Sequence, residues 1–170
     1  KGLSAAQIID DVCFSGTSGS LLGEFNRLFK SLFKDYGQHV KVIEVLAGVR
    51  SGLTREEIVS RAGITSGSVQ SKILSELTES GFIAPVAKFG MRKKGQLYRL
   101  IDEYSLFYLK WRDEISTSAM RSAPRYWQTL QNTQKWKSWS GYAFETVCHN
   151  HISHIADALG IGGIIWTAST

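Results

Sequence analysis

Three cations in a row, Arg92, Lys93 and Lys94, stand between Gly90 and Gly95. Basic side chains on a turn between two strand-like runs reach phosphate oxygens, and each such contact releases condensed counterions. A second polar set, Ser68, Gln70, Ser71 and Lys72, lies upstream in a helical pattern. These groups can bond phosphate or base edges, but the set has no Arg for a bidentate contact with guanine. Its chemistry is therefore that of backbone contact rather than strong base reading. The charge distribution agrees. Residues 39–101 hold ten of the 20 Lys and Arg but only five of the 15 Asp and Glu, so the whole net charge of +5 resides there. A localised excess of this sign favours a polyanionic partner.

Other chemistry is weaker. Cys148, His149, His151 and His154 crowd one helical pattern, and ligands one turn apart face together, so zinc binding by His151 with His154 or by Cys148 with His151 is the metal reading. No second cluster with ligand spacing exists elsewhere, and no metal is expected. Glu145 is the one acid at the start of a buried-looking helix, where it would complement the positive end of the dipole. No G-x-x-x-x-G-K-[ST] loop is present, and the separated Gly16 and Gly19 cannot replace one. No nucleophile-elbow motif frames a Ser, so a hydrolase triad has no support.

The elements that must position these residues follow from periodicity. Val40, Ile43, Leu46 and Ala47 repeat as one face of a helix. Thr54 with Glu57 three residues later forms a capping box, opening a short helix buried through Ile58 and Val59 and closed by Gly63. Thr65 or Ser66 starts a third helix with Val69, Ile73, Leu74 and Leu77 inward, ended by Ser80 and Gly81. Strand-like runs at 82–89 and 96–101 flank the basic tip. Two turn-separated helices and a basic hairpin make a winged helix-turn-helix. On its N-terminal side, Leu3, Ala6, Ile9 and Val12 mark a first helix, and 14–19 break it. Leu21, Phe25, Leu28, Phe29, Leu32 and Phe33 then stripe a second, whose wide apolar face must pack on the winged helix. On the other side, Tyr104, Phe107, Tyr108 and Trp111 share a helical face, which at this spacing reads as core before base-stacking surface. Residues 116–138, polar and containing Pro124, read as a connector or a docking loop with little regular structure. Residues 136–145 lead into a helix, Tyr142 to about Leu159, with Phe144, Val147, Cys148, Ile152, Ile155 and Leu159 in its apolar row, and 161–167 resembles a strand.

With 43% hydrophobic and 11% aromatic residues the chain is globular rather than disordered. No apolar run approaches the roughly 18 residues of a membrane span. Two distant cysteines, Cys13 and Cys148, predict no disulfide framework and a reducing, cytoplasmic setting. A start without Met and an end just after a strand-like run predict a piece of a longer protein.

Five segments, in order, carry a resemblance: LLGEFNRLFKSLF at 21–33, GLTREEI at 52–58, SGFI at 80–83, YRLIDEY at 98–104 and GYAFE at 141–145. Together they resemble the C-terminal half of prokaryotic AAA-type P-loop ATPases, in which a winged helix and a restriction-endonuclease-like domain follow the ATPase core. The resemblance spans essentially the whole chain. It implies that 1–36 is the remnant of the ATPase helical lid and 37–115 the winged helix with its C-terminal helix. It likewise implies that 116–138 is a connector and that 139–170 is the opening helix and strand of the nuclease-like domain, with Glu145 at that domain's first-helix acidic position. The fold expected is mainly α with a small β-hairpin: a winged helix-turn-helix flanked by helices, plus the start of an α/β nuclease-like domain.

The resemblance places ATP and Mg in the parent protein and no cofactor in these residues. Its partners would be DNA, the upstream ATPase core and the downstream nuclease-like domain. Two other readings stand beside it, a free-standing winged-helix transcriptional regulator and a winged helix that binds only protein.

Overall fold

The computed structural model describes residues 2–14, 20–65, 67–86, 96–121 and 125–164. The chain is mainly helical with a small three-stranded antiparallel sheet. It begins with α1 (Ala5–Ile9), capped by a reciprocal pair between Ser4 and Gln7, and runs on through a π-helical turn, Asp10–Phe14. Then come α2 (Ser20–Leu32), α3 (Tyr36–Ala47), β1 (Leu53–Thr54), α4 (Arg55–Ala62), α5 (Gly67–Glu79), β2 (Ile83–Val86) and β3 (Leu97–Leu100). Four helices complete the described residues: α6 (Glu103–Arg121), α7 (Tyr126–Leu130), α8 (Gln134–Asn150) and α9 (Ile152–Ala158).

Local signals account for the central elements. The Thr54 hydroxyl accepts the Glu57 N–H at 3.3 Å while the Glu57 carboxylate accepts the Thr54 N–H at 2.8 Å, so α4 starts on a closed capping box. Gly63 ends it in the left-handed region at φ +68°, where a side chain would be strained. The sheet order is β1-β3-β2, with Leu53 opposite Tyr98 and Ile83 opposite Leu100. The hairpin expected from sequence is thus joined by a third strand, too short to show any periodicity. Gly52 leads into that strand at φ +83°. A Cβ there would lie 2.7 Å from the Tyr98 carbonyl oxygen, so only glycine lets the chain approach β3 this closely.

The core is continuous from Phe14 to Trp127. The apolar face of α2 packs as expected: Phe29 meets Phe82 at 4.7 Å between ring centroids, and Phe25 stacks on Tyr108 at 4.7 Å. On α6, Tyr108 and Trp111 are buried, which removes them from any base-stacking surface. Trp127 of α7 lies among Phe14, Phe107 and Trp111, with the Trp111 ring edge-on at 5.2 Å. Each such aromatic pair adds about 0.5–1.5 kcal/mol beyond the area it buries.

Several expectations need correction. Residues 116–138 are not a connector poor in regular structure: α6 runs to Arg121, α7 follows, and α8 has begun by Gln134. Trp127 supplies the physical reason, since its side chain is buried in the core against Phe14, Phe107 and Trp111. Pro124 lies outside the described residues. The helix expected from Tyr142 to Leu159 starts earlier, at Gln134, and is broken at His151 (φ −112°) into α8 and α9. Its apolar row is not buried, because Phe144 is 70% exposed and α8 has no buried residue. Ile161 to Ile164 turn rather than extend, and 165–167 lie outside the described residues. Smaller shifts occur elsewhere. The buried row of α3 is His39, Val42, Ile43 and Leu46, and Val69 of α5 is exposed.

Candidate nucleic-acid interface

The segment between α4 and α5 sets the geometry of the polar row. Ser68, Ser71, Lys72 and Ser75 fall at i, i+3, i+4 and i+7 of α5 and are all exposed, so they share one face. Lys72 extends from that face with 73% of its side chain exposed, and its ammonium lies 3.8 Å from Glu76. Gln70 is drawn out of the row. It is half-buried, and its amide donates to the Ile64 carbonyl at 3.1 Å, which secures the turn before α5.

Ser71 is also engaged. Its hydroxyl donates to the Gly67 carbonyl at 3.2 Å and accepts from Arg55 at 2.8 Å, and Arg55 donates to the same carbonyl at 3.1 Å. Arg55 makes both bonds from one guanidinium nitrogen, and they hold it against the start of α5. Sequence reasoning did not single it out, because a pairing across 16 residues leaves no local signature. The wing-tip residues Arg92, Lys93 and Lys94 lie outside the described residues.

Glu145 sits in the middle of α8, exposed, with His149 one turn on at 4.0 Å. Because α8 starts at Gln134, Glu145 is too far from the N-terminus to complement its dipole, and that expectation is corrected. Cys148, His149, His151 and His154 do not share one helix, since the chain breaks at His151. His151 and His154 stack ring on ring at 5.8 Å. Among the described residues no group of three or more potential ligands converges on a metal position.

A cavity of about 730 Å³ opens beside α8. The end of α3, the turn 48–51, the end of β3 and α6 form its other walls. Arg50 closes one side by laying its guanidinium 3.0 Å from the centre of the Tyr142 ring. Elsewhere two groups titrate far from their ordinary values. Burial, reinforced by the Asp10 carboxylate, pushes the Cys13 thiol up to about 11. Burial also pushes Tyr104 up to about 12, with Tyr108, Glu24, Cys13 and Asp102 adding to it.

No family model matches this chain, and no curated protein or solved structure is similar to it. Among the described residues, no helix is long and apolar enough to cross a membrane.

Proposed function

We propose that this chain is the non-catalytic C-terminal part of an AAA-type ATPase of the cytoplasm, whose winged helix contacts DNA without reading its sequence or docks a partner domain. Support comes from the order of elements, α3, α4 and α5 followed by the β2–β3 hairpin, with β1 laid on β3 ahead of α4. That is the arrangement a winged helix requires. The observation that carries the DNA reading is the exposed row Ser68, Ser71 and Lys72 in a module that holds the entire net +5. In this reading residues 1–36 are the remnant of an ATPase lid, ATP and Mg belong to an upstream core, and 139–170 open a nuclease-like domain with Glu145 as its first-helix acid.

A sequence-reading regulator is the weaker alternative. The α5 row offers no Arg, and one guanidinium nitrogen of Arg55 and the Gln70 amide are engaged at the α4–α5 junction. The same engagement favours protein docking as the second reading.

Fluorescence anisotropy on two unrelated duplexes tests the proposal. Binding is expected to be weak and equal on both, with a log–log salt slope near ~−3 from about three phosphate contacts. Replacing Arg92, Lys93 and Lys94 by Ala weakens both duplexes alike. A strong preference for one duplex, or no binding at low salt, overturns it.

A further inference from the structure

We propose that the cavity between α8 and the body of the protein is a binding site for a small, flat aromatic molecule carrying an anionic group. Its volume of about 730 Å³ falls within the range of sites that enclose such ligands. Aromatic side chains supply stacking surface on two sides: Phe107 from α6, and Trp139 and Tyr142 from α8. Trp139 is held edge-on by Phe107 at 5.9 Å and by Trp111 at 5.5 Å, so that wall is rigid. Tyr142 is held differently, by the Arg50 guanidinium on its face.

The charge of the lining selects the ligand's sign. Arg50, Arg99 and Lys110 line the cavity against two acids, Glu103 and Glu145. Glu103 already accepts from the Asn150 amide at 2.5 Å, and Glu145 faces His149 along its own helix. Among the described residues the side chains of Arg99 and Lys110 have no hydrogen bond or ion pair. Two cations with no ion pair among the described residues, set beside aromatic walls, suit a carboxylate, sulfonate or phosphate on a planar body.

The probe is anilinonaphthalene sulfonate, set against the uncharged phenylnaphthylamine. Saturable binding of the sulfonate with one site per chain is expected, with amide shifts confined to 46–51, 99–110 and 139–147. Ala143→Trp, and independently Thr146→Phe, fill the cavity from α8 and abolish binding, each variant being checked for a cooperative melt. Arg99→Ala with Lys110→Ala weakens the sulfonate about tenfold and leaves the uncharged dye unchanged. Phe144→Ser, which removes an exposed apolar group outside the cavity, changes neither. Four results would overturn the proposal: no saturable binding, shifts spread over the whole chain, loss of binding in Phe144→Ser, or equal affinity for the two dyes. If neither filling variant folds, the shift map and the cation variant decide it alone.

Discussion

The Nε2 of His39 lies 2.9 Å from a carboxylate oxygen of Glu76, joining α3 to α5. The His39 ring is stacked on Phe33 at 4.1 Å with a 6° tilt, and the other Glu76 oxygen faces Lys72 at 3.8 Å. One carboxylate therefore connects the polar row of α5 to the core. His39→Ala is expected to destabilise by about 3 kcal/mol, combining a cavity with a lost hydrogen bond. Glu76→Gln costs about 1 kcal/mol, because the amide can still bond the ring. Urea unfolding of both single variants and the double variant measures the coupling. Strictly additive effects would show that the contact contributes nothing.

A bond between the side chain of Asp10 and the backbone of Trp127 ties two distant segments of the chain together. The Asp10 carboxylate accepts the Trp127 N–H at 2.6 Å, across 117 positions of chain. Asp10→Ala strands that buried donor and is expected to cost about 2 kcal/mol, while Asp10→Asn recovers part because its carbonyl can accept. Limited proteolysis near 121–126 is expected to quicken in Asp10→Ala. Equal stability of the Ala and Asn variants would contradict the bond.

Stability falls as pH rises through the range set by Cys13. Its folded-state thiol sits at about 11 against an ordinary 9.0, so between those values the unfolded chain releases a proton that the folded chain keeps. The sign follows directly: the stabilisation is fully present below 9 and is lost on going up to 11. The melting temperature is expected to drop over that window, and less steeply in Cys13→Ala. Thiol labelling of a Cys148→Ser variant checks the same point, with reaction at Cys13 remaining slow at pH 9. An identical alkaline slope in Cys13→Ala would refute the assignment.

Two aromatics of α8, Trp139 and Phe144, differ in what they hold. Trp139 meets Phe107, Trp111 and Trp127 edge-on, whereas Phe144 is 70% exposed. Trp139→Ala is expected to cost about 2 kcal/mol and to release α8 and α9 to fast amide exchange. Phe144→Ser changes stability by less than about 0.5 kcal/mol. Exchange in α9 as slow as in α6 of the wild type would contradict this ranking.

Contacts within one turn of chain were legible from sequence, and contacts between distant segments were not. Thr54 with Glu57 and the stop at Gly63 depend on bonds three or four residues long, so residue type and spacing determine them. The wide stripe of α2 likewise announced its own burial. By contrast β1 is two residues long and exists because β3 is beside it. The 116–138 stretch reads polar, yet its described part packs around Trp127, whose partners include Phe14 and Asp10 at the far end of the chain.

The candidate interface divides the same way. Its composition and charge belong to the sequence: a polar row one turn apart on α5, no Arg within it, and a net +5 confined to one module. Which donors remain available was decided by packing, because Arg55 and Gln70 reach carbonyls that the α4–α5 turn brings near them. Tertiary structure alone also made the cavity beside α8, since its cations and aromatic walls come from the turn 48–51, β3, α6 and α8. Their meeting depends on how four elements pack, and no spacing along the chain encodes that.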